Sequence, residues 1–254
     1  MALLISSPDN EKLKLVRKLR ERRWREKLGL FVCEGEDLVA AATVEAVELL
    51  VAGENVEPAL LAGVSTAAHP PRVIGIYRRA DLPGTSRRPA TLALWHISDP
   101  GNVGTLIRTA DAFDAAVALS EGCADPTGAK ALRASAGAIW RVPLLPFPDP
   151  NDARVARHKD NASAGGESDV QHKSLKRVGL VAHAGAPLGE CDLGGEVVFL
   201  LGAEREGLPE RLGRDLDARI PIGSESLNVA AAGAIALYEW RRQNPVATAT
   251  APSP

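Results

Sequence analysis

Large rings are scarce in this chain. Aromatic residues make up only 4% of its 254 residues, so a core has to be assembled from Ala, Val, Leu and Ile. Cysteine is also rare: Cys33, Cys123 and Cys191 are odd in number and widely spaced. That excludes a disulfide framework and a zinc site, and makes a reducing cytosol the expected compartment. Neither sign of charge dominates, because 30 Lys and Arg face 32 Asp and Glu for a net charge of −2. Any nucleic-acid contact must therefore come from a local basic patch. No apolar run reaches spanning length, and the N-terminus lacks the basic–apolar–small pattern of a secretory signal, so no membrane contact is expected. A Gly-x-Gly turn followed by an acidic residue is missing, as is a P-loop, which removes the common dinucleotide and nucleoside-triphosphate folds. His158 and His172 fall in a polar stretch without supporting Cys or carboxylate spacing, so no metal is expected. What remains, 45% hydrophobic and 24% charged residues, is ordinary for a globular chain of one large or two small domains.

The most informative stretch is Ala218–Trp240, ARIPIGSESLNVAAAGAIALYEW. Ile220–Ser226 is small, polar and rich in turn formers, and Leu227–Trp240 is almost unbroken helix former. A polar loop feeding an Ala-rich helix leaves the first N–H groups of that helix available to a cap, Ser226 or Asn228, or to a ligand. Two further loops follow apolar strand-like runs. Asp99–Ala110, DPGNVGTLIRTA, comes after Leu92–Ile97 and reads as a tight turn opening a helix; Leu200–Leu208, LLGAEREGL, comes after a buried strand. Loops at the C-terminal ends of strands are where an open α/β sheet holds its ligand.

These three stretches, in this order, resemble the motifs of the SpoU/TrmH family of the SPOUT superfamily, S-adenosylmethionine-dependent RNA ribose 2′-O-methyltransferases. One departure is visible: Ala230 follows Asn228-Val229 where the family usually has serine. The resemblance implies an α/β fold with a parallel sheet and a C-terminal trefoil knot, an obligate homodimer, and S-adenosylmethionine as cofactor. It implies that Gly202, Ile220 and Leu227 bind the cofactor through backbone and apolar contacts. Asn102, Arg108, Glu204, Ser226 and Asn228 then form the catalytic set, with Arg108 at the position that activates the 2′-hydroxyl. A guanidinium stays protonated, so its chemistry suits holding a phosphate and stabilising a developing alkoxide better than accepting a proton. Gly101, Gly104 and Gly207 read as structural.

The N-terminal third is organised differently. Asn10–Leu28 carries nine Lys and Arg between Glu11 and Lys27, and Leu15, Val16 and Leu19 share one face, which predicts a single amphipathic helix. Arg20, Arg22, Arg23 and Arg25 are its candidate RNA contacts. A compact alternation of strands and helices follows to residue 80, and with Phe31–Val39 (FVCEGEDLV) it resembles the ribosomal-protein-like α/β substrate-binding domain of many SpoU members. Residues 1–80 are thus expected to bind RNA, 81–90 to be a linker, and 91–243 to form the methyltransferase domain. Arg133, in KALRASAGA, is a candidate contact on the substrate side. Residues 146–177 have little apolar content and read as a surface insertion, and 244–254 as a frayed tail. The expected substrate is structured RNA, 23S ribosomal RNA ahead of tRNA. The rival class is a non-catalytic RNA-binding protein on the same scaffold.

Overall fold

The computed structural model describes residues 4–84, 86, 88–148, 175–203, 206–223 and 227–245. The expected insertion falls largely outside these, as do Glu204, Ser226 and most of the C-terminal tail.

Two sheets organise the chain. The smaller is antiparallel, in the order β1 (Leu30–Glu34), β3 (Val73–Arg78), β2 (Glu48–Val51). One of its faces buries Ile74, Ile76 and Leu50 against Leu13, Val16 and Leu19 from the N-terminal helical region and Leu61 of α4 (Pro58–Val64). The expected single basic helix is instead two, α1 (Glu11–Lys18) and α2 (Arg22–Leu28). The break at residues 19–21 lets Arg25 turn its guanidinium back onto the carbonyls of Leu19 and Arg20 at 2.9 and 2.7 Å. α2 then ends at Gly29, whose φ of 64° suits glycine.

The larger sheet has seven parallel strands in the order β6 (Leu144–Pro146), β5 (Ala116–Leu119), β4 (Ala90–Leu94), β9 (Val197–Leu201), β7 (Lys176–Leu180), β10 (Leu216–Arg219), β8 (Ala186–Pro187). Burial on both faces gives β4 and β9 their unbroken apolar sequences. Alternate residues sort cleanly: Leu92, Leu94, Phe199 and Leu201 join the main core, whereas Ala93, Val198 and Leu200 face a second, smaller cluster. β7 and β10 were not assigned from sequence. Arg177 in β7, and Asp217 and Arg219 in β10, interrupt the apolar pattern that marks the other strands.

Three helices complete this layer: α5 (Pro100–Ala112), α6 (Ala129–Ser135) and α7 (Val229–Gln243). α3 (Glu36–Ala40) belongs to the small sheet. A β-carbon on Gly104 would strike the Ala131 carbonyl of α6, and one on Gly233 would strike Leu106 of α5, so both glycines permit helices to pack backbone-close. The two sheets share one core. Trp140 lies edge-on to Tyr77 at 4.7 Å and 5.5 Å from Phe31, and its indole N–H donates to the Leu38 carbonyl at 3.1 Å.

Candidate active site

The chain leaves β4 and returns through α5 to β5 on one side, while β9 lies on the other. At this switch the strand ends separate and leave a crevice, as open α/β sheets do. The loops after β4, β9 and β10 and the start of α7 enclose two adjoining clefts.

The first, about 210 Å³, lies among Leu201, Gly202, Leu208, Ile220, Leu227 and neighbouring residues. Its lining is mainly apolar. Gly202 is required by packing: a β-carbon there would run into the backbone of Gly207, which folds back across it through the Ala203–Gly207 bridge. The second cleft, about 520 Å³, is more polar than the first and is lined by His96, Ser98, Asp99, Asn102 and Glu206 among others. Ala203 and Val229 line both, so the apolar slot opens onto the polar one.

Two helix N-termini meet at that junction. Asp99 caps α5, accepting from the Asn102 amide at 2.9 Å, and Pro100 occupies the first helical position, where its missing N–H costs nothing. The other Asp99 oxygen accepts from Lys130 Nζ at 2.8 Å; this bond, then the Asn102 amide, holds the carboxyl below its ordinary range. Asn228 caps α7: its Oδ1 accepts from the amides of Ala230 and Ala231 at 2.9 and 3.3 Å. Its Nδ2 donates to Asn102 Oδ1 at 3.1 Å. The cap thus comes from Asn228, and the two asparagines tie together the partial positive ends of both helices.

Of the expected site residues, Gly202, Ile220, Leu227, Asn102 and Asn228 converge here, and Glu204 and Ser226 lie outside the described residues. Arg108 does not line either cleft. It is exposed on α5, six residues beyond Asn102 and so about 9 Å along the helix axis. Arg133 is also exposed and approaches Thr66 Oγ1 at 3.4 Å instead of the polar cleft. Arg25 is corrected outright as an RNA contact: it is only 6% exposed, and its Nε donates to Asp125 at 2.8 Å. Arg20, Arg22 and Arg23 are exposed. Arg22 also pairs with Glu26 at 2.7 Å and donates to the Cys123 carbonyl at 3.1 Å. Trp24 carries Lys18 at 3.9 Å and Lys27 at 5.3 Å over its ring, which concentrates positive charge on this surface.

Trp95, His96 and Gly122 were not singled out from sequence. The signal was a Trp-His pair directly before the first motif, in a chain otherwise poor in rings. No group of three or more potential metal ligands occurs among the described residues.

A seven-stranded parallel α/β sheet with an apolar slot opening onto a more polar cleft is the arrangement in which open α/β enzymes hold a ligand at the sheet's switch point. The chain belongs to the SpoU rRNA Methylase family, which matches residues 89–238. It is 30% identical to the 23S rRNA (guanosine(2553)-2′-O)-methyltransferase RlmP of Bacillus subtilis over 93% of this chain and 98% of that protein. Similarity to the 23S rRNA (guanosine-2′-O-)-methyltransferase RlmB of Pseudomonas aeruginosa is 32% identity, over 61% of this chain and 59% of the relative. Among solved structures, an AdoMet-bound rRNA methyltransferase from Sinorhizobium meliloti superposes with a TM-score of 0.78 at 26% identity, covering 95% of this chain and 98% of that one. A TrmH-family RNA methyltransferase from Porphyromonas gingivalis gives 0.76 at 27% identity, covering 92% and 98%.

Proposed function

We propose that this protein transfers a methyl group from S-adenosylmethionine to a ribose 2′-hydroxyl of 23S ribosomal RNA. The observation that carries this reading is the pair of joined clefts at the junction of the three motifs, in a SpoU family chain similar to RlmP along nearly its whole length. The apolar slot fits the cofactor: Ile220 and Leu227 supply flat apolar walls, and the backbone at Gly202 supplies main-chain hydrogen bonds. When bound, S-adenosylmethionine supplies an electrophilic methyl group. Asn102 and Asn228 orient the polar cleft, with Glu204 and Ser226 completing the polar set.

Arg108 is the cation for the RNA backbone and the developing alkoxide. Its distance from Asn102 on one helix suits a homodimer in which it serves the partner's cleft. Exposed apolar side chains support that reading: Ile222, Leu227, Ile235 and Tyr238 lie in the β10–α7 segment, with Tyr238 61% exposed. The C-terminal segment is read as the trefoil knot of the family, and residues 1–80 as its ribosomal-protein-like RNA-binding domain. Arg20, Arg22 and Arg23 are its proposed phosphate contacts, Arg133 is a proposed RNA contact of the methyltransferase domain, and the cytoplasm is the proposed compartment.

The test is tritiated methyl transfer to rRNA and tRNA separated from a strain lacking this gene, with the labelled nucleoside identified. A 2′-O-methylnucleoside in the 23S fraction supports the proposal. Label only in tRNA assigns the other substrate. No label, with cofactor binding intact by calorimetry, makes the protein an RNA-binding relative without catalysis.

A further inference from the structure

His96 has a backbone conformation that histidine adopts at a cost. Its φ is 53°, in the left-handed region that non-glycine residues enter rarely and at about 1 kcal/mol or more, histidine more readily than most. Such strain persists where the surroundings enforce it, and functional sites are where it concentrates. Here the surroundings are specific. The His96 amide donates to Ser120 Oγ at 3.0 Å, and the imidazole stacks on Trp95 with centroids 4.4 Å apart and planes 10° from parallel. Trp95 is itself held edge-on by Phe147 at 5.3 Å, with the Arg211 guanidinium 5.5 Å from its ring.

Gly122 packs against the imidazole as well. A β-carbon there would stand 3.1 Å from Cδ2, 3.3 Å from Cγ and 3.5 Å from Nε2, nearly equal distances that place it over the ring face. Trp95 and the Gly122 turn thus both border the ring. The side chain is 41% exposed and faces the polar cleft beside Asn102, and its ionic neighbour, Glu206, is 3.9 Å away, too far for a hydrogen bond.

We propose that His96 reads the nucleobase of the target nucleotide: its imidazole edge hydrogen-bonds the polar edge of an unpaired RNA base whose ribose faces the cofactor slot. This rests on the RNA-directed function proposed above. A cleft of about 520 Å³ falls within the range of small-ligand pockets, ~300–1,000 Å³. A base suits it better than a phosphate, because the exposed Glu206 carboxylate lines the cleft and disfavours an anion there, whereas Asp99 is already paired with Lys130. With His96 and Ser98, Glu206 supplies mixed donors and acceptors for a base edge, the groups by which proteins read unstacked RNA.

The experiment measures fluorescence anisotropy of labelled decaribonucleotides of A, C, G and U with the wild-type chain, His96→Gly and His96→Asn. Both variants tolerate a left-handed φ; His96→Gly relieves strain but loses the Trp95 stacking and adds freedom to the unfolded chain, so a thermal midpoint is measured for each to show that it is folded at the assay temperature. We expect wild type to prefer one oligomer. His96→Gly should lose about tenfold in affinity for it, the scale of one base-directed hydrogen-bonding group, and flatten the ranking. His96→Asn should keep a preference. Equal wild-type affinities, unchanged affinities in His96→Gly, or equal losses in both variants across all four oligomers overturn the proposal. Wild-type methyl transfer to rRNA is assayed in parallel: its absence overturns the proposed activity while the binding measurements still decide His96.

Discussion

Asn228 holds two structures at once, the first turn of α7 and the side chain of Asn102. Asn228→Ala removes a helix cap, which costs about 1 kcal/mol. It also removes the Asn228–Asn102 bond that ties the two helix starts together, so methyl transfer should fall more than the stability loss accounts for. Denaturant titration and turnover on the same preparation check this. Arg108→Ala makes the opposite pattern. Its exposed guanidinium contributes little to the fold, so the midpoint should hold and calorimetric cofactor binding should persist. Turnover should fall by roughly 10²–10³, as when one charge-stabilising donor is removed. Near-normal turnover in that variant would remove Arg108 from the mechanism.

At the scale of elements, helix packing depends on what each glycine faces. A methyl at Gly104 meets the Ala131 carbonyl and Ala134 Cβ, which move only if α5 and α6 part. A methyl at Gly233 meets the end of the Leu106 side chain, which can swing aside. Gly104→Ala should therefore destabilise by about 1–3 kcal/mol and Gly233→Ala by less, as read from urea midpoints. Equal losses would mean that α7 is as rigidly seated as α6. The basic surface of α1 and α2 makes a separate prediction. Neutralising Arg20, Arg22 and Arg23 should weaken RNA binding and flatten its dependence on log salt by roughly one for each phosphate left unneutralised. An unchanged slope would mean these arginines face solvent only.

For the whole molecule, the decisive group is Asp125. It accepts from Arg25 at 2.8 Å, from Arg79 at 3.2 Å and from the Thr127 hydroxyl at 2.7 Å, joining the N-terminal helices to the loop after β5. That loop also carries Gly122 beside His96, so the small sheet and the polar cleft are braced against each other. Burial alone raises the Asp125 carboxyl; the Thr127 hydroxyl, Arg79 and Arg25 outweigh it and hold the carboxyl below its ordinary range. A depressed carboxylate stabilises the fold above its unfolded pKa of about 4 and loses that contribution as pH falls through the folded value. Asp125→Ala strands two arginines, one of them buried, and should cost about 3–5 kcal/mol at neutral pH. Asp125→Asn should flatten the acid limb of a stability profile measured from pH 6 down to 3. Cys33, whose thiol burial and then Glu34 push up to about 12, should resist thiol reagents until the chain unfolds.

Local chemistry made much of this protein legible in advance. Turn formers after apolar runs located the turn at Asp99-Pro100 that opens α5 and the end of β9 at Leu201-Gly202, and the Ala-rich stretch announced α7, because caps, turns and period depend on neighbours a few residues apart. The strands β7 and β10 escaped because charged residues interrupt their runs. Arg25 looked like a surface cation because its partner Asp125 lies 100 residues away, and only tertiary packing brings them together. His96 escaped because its meaning lies in a φ angle and in Trp95 and Gly122 around it. The sequence by itself determined the parallel α/β class, the family and the residues of the apolar slot, since these follow from patterns and motifs short along the chain. Tertiary structure alone decided which arginines stay exposed and that His96 lines the cleft, since burial and neighbours belong to the folded chain.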